Sequence, residues 1–154
     1  MNVTLEGALS PVDLSVPRSK GLVIAFWVVT AIFCLQIGFT VYAQLNLPQV
    51  ADAFRHFGFP DYFRVQLAWA KLLGIAILLL PVPARLKEWA YAAFAINIVF
   101  AVTTHLSVGD GPDAWLWAVG TGVLWAVSYV LWRRLEGAPV FAKLDKQPKE
   151  LQAA

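Results

Sequence analysis

The stretch FRVQLAWAKLLGIAILLL, residues 63–80, is apolar enough to cross a bilayer and carries a lysine, Lys71, at its middle. As a helix rising 1.5 Å per residue it covers about 27 Å, close to the roughly 30 Å of a hydrocarbon core. An ammonium at that depth costs about 2.5–3.5 kcal/mol on insertion scales, so it persists where it faces protein or water instead of acyl chains. Lys71 therefore marks the interior of a helical bundle.

Three more apolar runs flank this one, at 21–43, 89–106 and 115–132. All four satisfy their backbone hydrogen bonds internally only as helices, so the expected fold is all-α, a four-helix transmembrane bundle. The first run is too long for the core of a cleavable signal and is read as a retained span. Residues 1–20 form a polar tail and 133–154 a charged one; an Asn2-Val3-Thr4 glycosylation pattern in the first is read as chance. Between the first two spans, Val50, Ala53, Phe54 and Phe57 follow helical spacing, which predicts a short interfacial helix ended by Gly58 and Pro60. The connections at 82–87 and 107–113 are short and favour antiparallel neighbours.

Apolar residues make up 59% of the 154, charged residues 14%, and the net charge is +2. Soluble domains are nearer 45–50% and about 25%, and a nucleic-acid partner would call for a basic patch that is missing here. The bilayer is the expected surrounding. Arg18, Lys20, Arg85, Lys87, Arg133, Arg134, Lys143, Lys146 and Lys149 fall on one side, against Arg55 and Arg64 on the other. That asymmetry places both termini in the cytoplasm. Trp89 and Tyr91, Trp115 and Trp117, and Trp132 are read as aromatic belts at the boundaries. Cys34 is the one cysteine, so no disulfide, dithiol or thiolate metal site is available, and no metal-binding set is expected.

Small and polar residues identify the packed faces, because lipid gives helices no hydrophobic reason to associate. Ala118, Gly122 and Ala126 form a small-residue stripe on the fourth span. Gln36 and Thr40 share a face of the first, with Gln44 a turn beyond. Arg64, Lys71, Gly74 and Leu78 align on the second, and Asn97, Ala101, Thr104 and His105 on the third. Converging stripes would place Gln36, Lys71, Asn97 and His105 around one polar cavity opening to the outer side. Asp61 and Asp110 are candidate counter-charges for Lys71 or His105, or plain loop and capping residues. Each cavity residue has a structural alternative: Lys71 bonding Asn97 or a carbonyl to fix register, His105 seated at the interface, Asn97 and Gln36 joining helices.

Gly58-Phe59-Pro60, Lys71-Leu72-Leu73-Gly74, Pro81, Glu88-Trp89-Ala90-Tyr91, and Ala101 through His105 to Gly109-Asp110 together resemble the DoxX-like membrane proteins. The resemblance covers 21–132. Ala92-Ala93 departs from the family's alanine–glycine pair. The resemblance implies a four-helix protein of the bacterial cytoplasmic membrane without a settled activity. Some relatives in the wider family are subunits of thiosulfate:quinone oxidoreductase, and others belong to membrane redox or oxidative-stress complexes. It carries over no catalytic set; Lys71, Glu88, His105 and Asp110 are positions that match the pattern.

Three readings follow. The first is a membrane subunit of a redox system binding a quinone-like or small anionic ligand. The chain has no redox centre of its own, so a quinone or a partner subunit would handle the electrons. The second is a binding or carrier protein for a small amphiphile, and the third a non-catalytic assembly protein, a homo-oligomer included.

Overall fold

The computed structural model describes residues 20–136. The two tails, with the Asn2-Val3-Thr4 pattern, lie outside the described residues apart from Lys20 and 133–136. Five helices run in order: α1 Lys20–Asn46, α2 Pro48–His56, α3 Asp61–Leu79, α4 Ala84–Ser107 and α5 Pro112–Glu136. Among the described residues there is no strand. By length and composition α1, α3, α4 and α5 can each cross a membrane. The protein is a multi-pass helical membrane protein.

The helices overrun the apolar runs that announced them. α1 continues a turn past 43, α4 begins five residues before 89, and α5 reaches Glu136. Hydropathy marks where a helix leaves hydrocarbon, whereas its backbone hydrogen bonds continue into water until a breaker stops them. Pro81 and Pro83 are that breaker before α4, with Pro83 extended as its N-cap. The overrun places Glu88 on α4, where it accepts a hydrogen bond from Arg133 Nη1 of α5.

α1 and α4 each pack against both α3 and α5, giving the order α1, α3, α4, α5 around the ring. The short α2 lies against α3 and the end of α1. It marks one end of the bundle, and the two ends are packed differently. The core occupies the end away from α2, where Phe26, Phe33, Leu78, Tyr91, Phe94 and Trp132 are buried. Phe33 of α1 meets Phe94 of α4 edge-on across the diagonal, ring centroids 5.2 Å apart. Gly74 admits Phe94 so closely that a Cβ there would lie 2.6 Å from the ring. On α5, a Cβ at Gly122 would lie 3.3 Å from Ile98 of α4, so the small-residue stripe does face a neighbouring helix.

Hydroxyls knit the same end together. Thr30 of α1 and Tyr91 of α4 both hydrogen-bond Ser128 Oγ of α5, each at 2.8 Å. Trp125 Nε1 donates to the Tyr91 carbonyl at 2.9 Å. Two of the supposed belt residues are thereby reassigned to the core. Tyr91 is 1% exposed and Trp132 3%, with their rings stacked at 5.4 Å. Three buried hydroxyls satisfying one another let tyrosine sit in an apolar interior. Trp89, by contrast, is largely exposed.

Candidate functional site

Two turns of one kind shape the α2 end. After α2, Gly58 (φ +78°) donates to the Arg55 carbonyl and Phe59 donates to the Phe54 carbonyl. After α4, Gly109 (φ +75°) donates to the Leu106 carbonyl and Asp110 donates to the His105 carbonyl. Both are Schellman motifs, with glycine taking the left-handed position that costs other residues roughly 1–2 kcal/mol. In each, the residue after glycine folds back onto the residue five earlier. Phe59 thereby packs on Phe54, ring centroids 6.1 Å apart. The Asp110 carboxylate comes to lie 2.6 Å from His105 Nδ1.

Between these turns α3 and α4 enclose a cavity of about 500 Å³. Leu67, Ala70 and Lys71 of α3 form one wall, and Ala93, Ile96, Asn97, Phe100, Thr104 and His105 of α4 the other. Phe54, Phe57, Phe59 and Phe63 close the α2 end as an aromatic cap. Ala70, Ala93, Ile96 and Phe100 are also exposed on the flank of the bundle, so the cavity reaches the surface sideways, between α3 and α4. Its volume lies within the roughly 300–1,000 Å³ of small-molecule sites, and its few polar groups on an apolar lining have the usual composition of one.

Those polar groups are specific. Lys71 Nζ donates to Gln44 Oε1 of α1 at 3.1 Å, and Gln44 is itself buried. Among the described residues no carboxylate pairs with Lys71. Its ammonium keeps two N–H donors beyond the one given to glutamine. Asn97 lines the cavity one helix away. His105 is clamped between the Asp110 carboxylate and the edge of Phe57, centroids 5.0 Å apart. A carboxylate on Nδ1 fixes the neutral ring with its proton there, leaving the Nε2 lone pair for another partner.

Lys71, Asn97 and His105 thus share one cavity; Gln36 is elsewhere. Gln36 Nε2 donates to Thr121 Oγ1 at 2.7 Å and borders a separate groove between α1 and α5, with Asp113 and Trp117. Eight residues separate Gln36 from Gln44, which is about 80° of helical rotation. That drift aims Gln36 at α5 and Gln44 at α3. Lys71 accordingly bonds Gln44, neither Asn97 nor a carbonyl. Asp61 bonds neither Lys71 nor His105. It accepts from Arg55 Nη2 at 3.1 Å, and Arg55 also bonds Asp52, fastening α2 to α3. The hydrogen bond and charge of Asp61, then Asp52, raise the Arg55 pKa above its ordinary value, so this fastening keeps its cation. No cluster of three metal-ligating side chains occurs among the described residues.

The DoxX-like family model matches residues 28–128, well over half of the chain. The chain belongs to the DoxX-like family. The DoxX-like region contains the cavity wall, the aromatic cap, both Schellman turns and the Thr30–Tyr91–Ser128 hydroxyls, and stops short of Trp132 and Arg133. No curated protein and no solved structure matches. Sequence reasoning missed Gln44 as the partner of Lys71, and missed the cap as part of the site. Phenylalanine at 54, 57, 59 and 63 on both sides of a glycine was the available signal for the cap, since Gly58 breaks the helix and the four rings therefore come from two elements.

Proposed function

We propose that this DoxX-like protein is a membrane subunit of a redox system that binds a quinone-like amphiphile between α3 and α4. The observation that carries the reading is the composition of the cavity: an aromatic cap, an apolar wall open to the flank, and Lys71, Asn97 and His105 as its polar groups. A small inorganic anion would leave its hydration shell for one ammonium and an apolar lining, which is unfavourable. A ring with carbonyl oxygens would accept from Lys71 or Asn97, stack among the phenylalanines, and leave its tail in lipid through the gap beside Ala70 and Ala93. His105, oriented by Asp110, is placed to exchange a proton with such a head group. Reducing a quinone to a quinol takes two electrons and two protons; a partner redox subunit would deliver the electrons. The excess of basic residues flanking the far end of the bundle supports a cytoplasmic position for both termini and an outward-facing cavity in the cytoplasmic membrane.

Extraction into detergent followed by lipid mass spectrometry, and titration of delipidated protein with decylubiquinone, test this reading. The expected result is a co-purifying prenylquinone and saturable binding. Lys71→Met should weaken binding roughly 10–100-fold, the weight of a hydrogen bond from a charged group. Absence of quinone from the extract together with no saturable binding by decylubiquinone would refute it.

One observation favours an assembly role instead: the Lys71–Gln44 bond joins α3 to α1, as a register lock would. That role predicts that Lys71→Met with Gln44→Leu folds as well as the parent or better, since apolar isosteres often replace buried polar pairs without loss. It also predicts no ligand in the cavity.

A further inference from the structure

Behind Lys71 the protein encloses a second, smaller space. A chamber of about 80 Å³ lies at the centre of the four long helices and shares Lys71, Asn97 and Ala101 with the ligand cavity. On its other side it shares Trp117 with the groove between α1 and α5. Trp117 and one hydrogen bond lie between them: Thr121 lines the chamber, Gln36 lines the groove, and Gln36 Nε2 donates to Thr121 Oγ1. Asp113 stands in the groove, near the start of α5. The three spaces therefore follow one another from the flank between α3 and α4, through the bundle, to the groove between α1 and α5.

We infer that this succession is a water-filled proton path supplying the ligand cavity from the α1–α5 groove, with the Gln36–Thr121 hydrogen bond as its gate. The inference rests on the reading of the cavity as a quinone site. At roughly 30 Å³ per molecule the chamber holds about two or three waters, and a buried water needs two to four polar partners. Thr40 Oγ1, bonded to the Ile37 carbonyl, has lone pairs to accept with. Thr121 Oγ1 donates to the Trp117 carbonyl, Lys71 has two further donors, and the Asn97 amide faces the chamber as well. An amphiphile seated in the cavity fills the opening between α3 and α4 with its own tail, and the chamber offers protons an approach to its head group on the side away from that tail. The titratable side chains bordering the path are few. Among the described residues they are Asp113 at the groove, and Lys71 and His105 at the cavity, with Asp110 behind His105. Neither α1 between Lys20 and Asn46 nor α5 between Asp113 and Arg133 carries a charge, so the path crosses neutral hydroxyls and amides.

Two measurements test the path, and the first needs no ligand. Radiolytic hydroxyl-radical footprinting of the detergent-solubilised protein compares Ile37, which lines the chamber, with Leu78 of the dry core; these aliphatic side chains are 2% and 1% exposed. Ile37 should be oxidised several-fold faster, and equal rates would overturn the path. The second follows proton uptake with an indicator dye after reduced methyl viologen, a one-electron donor that releases no proton on oxidation, reduces bound decylubiquinone: two viologen radicals give two electrons and the medium gives two protons. Thr121→Val and Gln36→Leu should slow uptake about tenfold or more while decylubiquinone affinity is retained, and Thr121→Ser should restore it. Uptake at the parent rate in both variants would overturn the route. Failure of decylubiquinone to bind the parent protein, with no quinone in the extract, would refute the quinone reading instead, and the footprint then decides on the path.

Discussion

At Ser128 three helices meet on one oxygen. Its hydroxyl serves Thr30 from α1 and Tyr91 from α4, and all three groups are buried. Hydrogen bonds between membrane helices average about 0.6 kcal/mol and reach about 1.7. The consequence of losing one depends on which partner stays behind unsatisfied. Tyr91→Phe removes one hydroxyl and leaves Thr30 and Ser128 bonded to each other. Ser128→Ala strands two buried hydroxyls, each at a desolvation cost of about 1–3 kcal/mol. Ser128→Ala is therefore expected to be the more damaging substitution by about 1 kcal/mol or more, measurable by thermal unfolding in detergent with Tyr91→Phe as the reference. Equal destabilisation would mean that the two hydroxyls re-pair without the serine. Tyr91 was read from the sequence as a boundary aromatic, and nothing there joined it to Thr30 and Ser128, because hydroxyls scattered on apolar helices look alike until the helices are set beside one another.

At the level of elements, close approach and turn geometry do most of the shaping. Gly74 lets α3 reach the Phe94 ring of α4, and Phe94 in turn rests on Phe33. Gly74→Ala should cost about 1–3 kcal/mol, the usual range for overpacking. Gly122→Ala, whose Cβ would meet only the Ile98 methyl at 3.3 Å, should cost less, and chemical or thermal unfolding of the pair gives the ranking. The two Schellman turns act on the site itself. Gly58→Ala strains the turn that brings Phe59 onto Phe54, and should lower decylubiquinone affinity through the cap with little change in helix content by circular dichroism. Gly109→Ala should do so by displacing Asp110 from His105. Four spans and the short helix were legible from the sequence, because hydrocarbon thickness constrains length and composition together. Lys71, Asn97 and His105 were also legible as a converging set. Gln36 was not separable from Gln44, since a stripe of residues spaced by four drifts around a helix and the sequence does not say which neighbour it meets first.

Across the whole molecule, packing is graded from one end to the other. The end away from α2 holds the aromatic core and the shared hydroxyls, while the α2 end holds the cavity, the groove and two glycine turns. Both ends draw on the same four helices, so one helix samples both environments. On α4, Ala90, Tyr91 and Phe94 are buried in the core, whereas Phe100, Ala101, Thr104 and His105 border the cavity and Thr103 lies exposed. Regions with few buried apolar contacts open locally at lower free energy than the core. Amide hydrogen exchange should therefore run slowly along 88–95 and faster along 100–107, although both stretches belong to one uninterrupted helix. Decylubiquinone should slow exchange in 100–107 and in α2, which supply the far wall and the cap, and leave 88–91, which lies clear of the cavity wall at Ala93, unchanged. The contrast between segments of a single helix removes differences in detergent access between helices. Uniform exchange along α4 would contradict the graded packing, and protection confined to 88–91 would place the ligand in the wrong half of the bundle.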